Sequence, residues 1–281
     1  MIDLAVIAGT HHLDDLSGIG TIDMALTHLV LAEPRQAAYF AARAAAGTRV
    51  LLDNSAYELE TITGQGLAAE PVMRAANLIG ASVVVCQDVL YDGPATLATT
   101  RRFLDQARTL ADPDRVTFMG VPQGRTRGEW LDCYHRLVDT PGIAMIGLSK
   151  LSVPRCFAAP VAEARLDCVT TLLADKPSLP LHLLGGDRSL PWELAQHRDR
   201  GHDEFICGND SSFAFWYAAC DLHVDPVTGR APTEAPGKPD LETTTLDPPR
   251  LAAAYATIAL LRDAVGLLPL GNIELPEPTC R

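Results

Sequence analysis

Arg49-Val-Leu-Leu-Asp-Asn-Ser-Ala-Tyr-Glu58 is an apolar run that stops abruptly in polar residues. Three consecutive branched residues, Val50 to Leu52, leave no side of a strand for water, so they read as a strand buried on both faces. Asp53 then sits at that strand's carboxyl end, where parallel α/β enzymes gather their functional groups. The plainer reading is that Asp53 and Asn54 turn the chain and cap a helix.

Outward from this strand the same unit repeats. Short apolar runs at Leu4 to Ala8, Thr27 to Leu31, Val50 to Leu52, Ser82 to Gln87, Val116 to Val121, Ala144 to Leu148, Leu181 to Leu184 and Glu204 to Cys207 are candidate strands. Between them Arg35 to Ala46, Ala68 to Leu78, Pro94 to Leu110, Arg127 to Val138 and Pro160 to Ala174 carry apolar residues at helical spacing. Gly47, Gly80 and Gly142 follow as helix stops. Repeated strand and helix units with right-handed crossovers predict a parallel sheet, and eight strands close a (β/α)8 TIM barrel. A doubly wound open sheet is the alternative. The connection from Gly9 to Ala25 is long and reads as a mobile loop. The barrel core is expected over residues 1–220. Residues 221–281 form an extended loop rich in Asp, Pro, Thr and Gly, then a helix from Pro249 to Arg262 packed on the barrel's outer ring.

Composition bounds the function. A chain of 281 residues with 47% hydrophobic content fills one such domain. No apolar run reaches membrane-spanning length and the first ten residues do not resemble a secretion signal, so a cytoplasmic location is expected. The seven cysteines lack any Cys-x-x-Cys pair and read as reduced core residues. A formal charge of −12 argues against indiscriminate binding to nucleic acid while allowing a local basic patch.

A barrel writes its function at the strands' carboxyl ends. Those ends hold Asp53-Asn54, Gln87-Asp88, Pro122-Gln-Gly124, Gly147-Leu-Ser-Lys150, Gly185-Gly-Asp-Arg188 and Asn209-Asp-Ser-Ser212. Several carboxylates, an amide and a lysine would converge on one mouth. Arg125, Arg127, Lys150, Arg155 and Arg188 follow neighbouring strands and could line one side of it as phosphate contacts, although single surface cations more often pair with nearby acids. His11 and His12 receive no role, and His182 reads as a hydrogen-bonded core residue.

The set Leu51-Leu-Asp-Asn-Ser-Ala-Tyr57, Val85-Cys-Gln-Asp88, Gly120-Val-Pro-Gln-Gly124, Ile146-Gly-Leu-Ser149, Leu183-Leu-Gly-Gly186 and Asn209-Asp-Ser-Ser212 resembles the ordered motif series of the tRNA-guanine transglycosylase (queuine tRNA-ribosyltransferase) superfamily. It is most similar to the shorter phage and actinobacterial relatives linked with insertion of 7-deazaguanines into DNA. The resemblance implies that Asp210 attacks the sugar C1′, with Asp203 as the substitute, and that Asp53 is the general acid/base. It further implies that Tyr57 stacks on the purine, that Asp88 and Gln123 read its polar edge, and that Gly147 and Leu148 offer backbone contacts.

Replacing one purine by another with retention takes two displacements, so one carboxylate holds the sugar while another moves protons. A buried Asp88 could accept from guanine's N1–H and exocyclic amine together, which adenine cannot match. The family's tRNA enzymes carry a Cys-x-Cys-x-x-Cys and a later His for zinc. This chain has no such motif, so neither metal nor cofactor is expected, and DNA is favoured over tRNA as the sugar donor. A free nucleoside or nucleotide is the alternative substrate, and a homodimer is compatible with the sequence. Two other classes stay open: a barrel lyase or aldolase using Lys150 as a Schiff-base amine, and a non-catalytic base-binding protein.

Overall fold

A computed structural model describes residues 1–59, 64–110, 115–174 and 177–271. Among these the chain forms eight parallel strands: β1 (Asp3–Val6), β2 (Asp23–Leu26), β3 (Val50–Asp53), β4 (Val83–Val85), β5 (Thr117–Gly120), β6 (Ile143–Ser149), β7 (Leu181–Leu184) and β8 (Ile206–Ser211). Each strand from β2 to β8 pairs with the next, and β8 pairs with β1. The remaining seam, between β1 and β2, is tacked by Leu4, whose carbonyl accepts from Thr21 N at 2.8 Å and Ile22 N at 3.2 Å. A Cβ on Gly20 would lie 2.3 Å from that carbonyl oxygen, so only glycine lets the two strands approach here. The result is a nearly closed (β/α)8 barrel, as the strand count predicts.

Alternation along the strands sorts the apolar residues into two sets. Ala5, Met24, Leu51, Val83, Val85, Met119, Val121 and Met145 fill the barrel interior. Leu4, Val50, Leu52, Val84, Phe118, Ile146, Leu148, Leu181 and Leu183 face the helices in the larger outer core. Asp53 follows Leu51 by two residues and shares its inward face, which is why the strand delivers this carboxylate into the barrel mouth. Helices Pro34–Ala45, Ala69–Ile79, Gly93–Leu110, Arg127–Val138 and Val161–Ala174 fall where the periodicity places them.

Two strand expectations fail. Thr27 to Leu31 is not a strand: β2 precedes it, and Thr27–Ala32 is helical. The Gly9 to Ala25 connection, read as a mobile loop, holds two 3-10 turns, the short helix Leu13–Leu16 and most of β2. The eighth strand also runs later than Glu204 to Cys207, so Asn209 and Asp210 lie within it.

Residues 221–247 carry no helix and cross the barrel mouth as a strap. His12 Nε2 accepts from Leu246 N at 2.8 Å, and Thr10 N donates to the Leu241 carbonyl at 2.7 Å. Arg188 Nη1 donates to the Pro232 carbonyl at 2.9 Å. Helix Pro248–Ala264 follows, capped by the Asp247 side chain, and packs on the helices before and after β8. No helix of the described residues is long and apolar enough to cross a membrane.

Candidate active site

The strap and the carboxyl ends of the strands line a cavity open on one side to solvent. Its polar lining includes Asp53, Tyr57, Glu58, Asp88, Lys150 and Asp210, set among Ile7, Leu26, Val85, Val121, Leu184 and Leu241. Strand β3 and its following loop, the ends of β4 and β6, and β8 thus bring Asp53, Tyr57, Asp88, Lys150 and Asp210 to one place.

The loop after β3 is built to aim its side chains. Ser55 adopts φ 62°, uncommon for a residue with a Cβ, and its N–H donates to Asp53 Oδ2 at 2.7 Å. Its hydroxyl bonds His28 Nδ1 at 2.8 Å. Burial pushes the Asp53 carboxyl well above the usual carboxylate range, and the neighbouring charges of Glu58 and Asp210 push the same way. A carboxyl that holds its proton more tightly than usual is placed to act as an acid.

Asp88 is buried on the cavity wall. Asn54 Nδ2 donates to its Oδ1 at 2.9 Å and Gln123 Nε2 to its Oδ2 at 2.6 Å. Burial raises its pKa to about 6, against the lowering effect of those two amides. Each oxygen retains a lone pair, so the fixed carboxylate can accept two further hydrogen bonds.

Gln123 therefore does not face the cavity. Its Oε1 accepts from Tyr91 N at 3.1 Å, so both ends of the amide are engaged within the protein. Gly147 and Leu148 do not line the cavity either. A Cβ at Gly147 would meet Leu184 and Met119 inside the barrel, and the Leu148 carbonyl accepts from Arg165 Nη1 at 3.4 Å. Arg165, paired in the interior with Glu193 at 2.6 Å, also donates to the carbonyls of Leu184 and Gly185 and so clamps the ends of β6 and β7.

Asp210 enters from β8. Its Oδ1 lies 3.0 Å from His182 Nε2, and its Oδ2 accepts from Gly185 N at 3.3 Å. Asp203 lies before β8, at the opposite end of the barrel, 3.6 Å from the N-terminal amine, and does not reach the cavity.

The arc of five cations is not assembled. Lys150 lines the cavity, its ammonium 4.1 Å from the centre of the Tyr57 ring. The others are engaged elsewhere. Arg125 pairs with Asp92 at 2.6 Å, Arg127 with Asp167 at 3.2 Å, Arg155 stacks on Tyr91 at 4.4 Å, and Arg188 holds the strap.

Glu58 and Lys238 join the site without any mark in the sequence. Lys238, on the strap, places its ammonium 4.5 Å from the Tyr57 ring centre and donates to the Tyr57 carbonyl. Glu58 is buried, which raises its pKa, while the charges of Lys150 and Lys238 lower it. Its Oε2 is without a hydrogen-bond partner among the described residues. A Glu in a loop and a Lys in a polar strap give no sequence signal that separates them from solvated charges.

Among the described residues no group of three or more His, Cys, Asp and Glu side chains is placed to hold a metal ion. Cys280 lies outside the described residues. No protein-family model and no curated protein matches the chain.

Proposed function

We propose that this chain is a pentosyltransferase that exchanges guanine for a 7-deazaguanine-type base in a nucleic acid, DNA ahead of tRNA, through a covalent sugar–aspartate intermediate. The observation that carries the reading is the convergence of Asp53, Asp88 and Asp210 on one cavity, each in a different environment. Asp88, fixed by two amides, presents two acceptors to the N1–H and exocyclic amine of guanine. Asp53, its proton held by burial, supplies the acid for the departing base nitrogen. Asp210, anchored through both oxygens, is the carboxylate that takes the sugar. Gln123 serves by orienting Asp88, and Tyr57 offers a ring at the cavity wall, with Lys150 and Lys238 beside it for the phosphates that flank the nucleotide.

The test is incorporation of labelled guanine on incubation with DNA, tRNA or free guanine nucleosides and nucleotides. Label entering DNA supports the reading as stated. Label entering only free nucleosides or nucleotides moves the donor to the alternative substrate class. No exchange with any donor, together with no guanine binding, contradicts it.

A second reading rests on Lys150, whose pKa is lowered by burial, as a Schiff-base nucleophile would require, although the charges of Glu58 and Asp210 oppose that shift. Borohydride reduction in the presence of small aldehydes and ketones would fix such an adduct on Lys150. The base-exchange reading predicts no label there.

A further inference from the structure

His182 lies in β7, fully buried, and its register partner on β8 is Gly208. A Cβ at position 208 would stand 2.9 Å from His182 Nδ1 and 3.0 Å from Cε1. The absent side chain is therefore what makes room for an imidazole inside the barrel, beside the β8 segment that carries Asp210. From there Nε2 reaches Asp210 Oδ1 at 3.0 Å, while Nδ1 has no hydrogen-bond partner among the described residues. A proton on Nδ1 would be buried unpaired and would leave a lone pair of Nε2 facing a carboxylate, two costs that a single proton on Nε2 avoids. The imidazole thus donates from Nε2 to Asp210 rather than accepting from it.

The geometry points to His182 as the positioning residue for the nucleophile: its Nε2–H holds Oδ1 at 3.0 Å, while Oδ2, held by the longer 3.3 Å bond from Gly185 N, attacks C1′ with its remaining lone pair. This role rests on the base-exchange reading. In the first half-reaction a lone pair of Oδ2 forms the bond to C1′ as the bond from C1′ to the base nitrogen breaks. That electron pair leaves with the base and is neutralised by the proton of Asp53. In the second half-reaction a nitrogen lone pair of the incoming base takes C1′, its proton returns to Asp53, and the Oδ2–C1′ pair reverts to the carboxylate. His182 transfers no proton in either half. Its donated bond aims Asp210 in the first half, and in the second it strengthens as negative charge returns to the departing carboxylate.

The test compares His182→Leu, which removes the donor, with His182→Gln, whose side-chain amide can place an N–H near the position of Nε2. Exchange kcat is expected to fall about 100-fold in His182→Leu, the scale of losing one preorganised donor, and to stay within about tenfold of the natural chain in His182→Gln. Guanine affinity is expected to change less than about twofold in both, because the base contacts lie at Asp88 and Tyr57. A His182→Leu kcat within about threefold of the natural chain overturns the role, as does a His182→Gln enzyme no better than His182→Leu, or guanine affinity falling in step with kcat. A readout independent of activity is nitrogen-15 NMR of the histidines: His182 should carry its proton on Nε2, with a resonance that moves in Asp210→Asn. A proton on Nδ1 overturns the role by itself, whereas a natural chain that exchanges no base with any donor brings down the base-exchange reading and this role with it.

Discussion

Replacing Asp88 by Asn separates recognition from stability in a way the structure makes quantitative. The carboxylate's two oxygens accept from Asn54 and Gln123, and neither amide can turn to suit an asparagine. Gln123 Oε1 is committed to Tyr91 N at 3.1 Å and Asn54 Oδ1 to Ala56 N at 2.9 Å. The introduced asparagine must therefore set its own NH2 against one of two donors, a buried mismatch that costs about 1–3 kcal/mol. Against this, the natural carboxylate is itself costly to bury: its rise from 3.8 to about 6 corresponds to about 3 kcal/mol at neutral pH. The two terms nearly offset, so unfolding in urea at pH 7 should show a change of no more than about 1–2 kcal/mol. Guanine binding has no such compensation. One acceptor facing the purine's two donors becomes a donor, and titration calorimetry should show affinity falling by about 100- to 1,000-fold, the scale set by an unpaired polar group in a site built for its partner. A correctly folded Asp88→Asn protein that binds guanine as well as the natural chain would remove Asp88 from the site and refute the reasoning.

The same carboxyl sets a pH dependence. If ionised Asp88 is the acceptor, guanine affinity should drop about tenfold per pH unit below about 6 and stay flat across that range in Asp88→Asn; a titration that leaves the natural chain flat as well would place recognition elsewhere. For stability the sign is opposite, because the folded chain holds this proton more tightly than the unfolded one: the contribution of Asp88 is full below pH 3.8 and is lost as the pH rises through about 6, visible as a difference between the urea curves of the two proteins. Tyr57→Ala should weaken guanine by about 1–3 kcal/mol through lost stacking, measured by calorimetry, and an unchanged affinity would show that the base does not lie on this ring. Gly20→Ala drives a Cβ to within 2.3 Å of the Leu4 carbonyl at the barrel seam and should cost about 1–3 kcal/mol in urea unfolding; a loss under about 0.5 kcal/mol would mean that the seam is not held there.

Much of the barrel is legible because buried parallel strands are written as unbroken apolar runs and their helices as three- and four-residue periodicities. Where the two signals overlap, the reading fails. From Met24 to Ala32 the chain is almost continuously apolar, so the end of β2 at Leu26 and the helix start at Thr27 carry no mark, and the pattern puts the strand one element late. At the site, Asp53 and Asp88 can be found because an ionisable residue closes a run of buried ones. The sequence locates Gln123 but not its direction, since it cannot tell an amide that reads a ligand from one that fixes a neighbouring carboxylate. The arginines mislead for a related reason: each follows a strand, but Arg125 and Arg127 find acids, Asp92 just before helix Gly93–Leu110 and Asp167 within helix Val161–Ala174. Lys238 reaches Tyr57 across 181 positions of chain, a contact created wholly by the strap's path over the mouth.

The central claim is that Asp210 forms a bond to the sugar while Asp53 moves the proton. Mass spectrometry of the enzyme, denatured after incubation with guanine-containing DNA and, in parallel, with tRNA and guanine nucleosides, tests it most directly. Asp53→Asn leaves the nucleophile in place without the proton carrier and should accumulate the adduct when the leaving base needs little protonation, on the peptide that contains Asp210. Asp210→Ala should form none and exchange nothing. An adduct mapped to another residue, or full exchange activity in Asp210→Ala, would contradict the account.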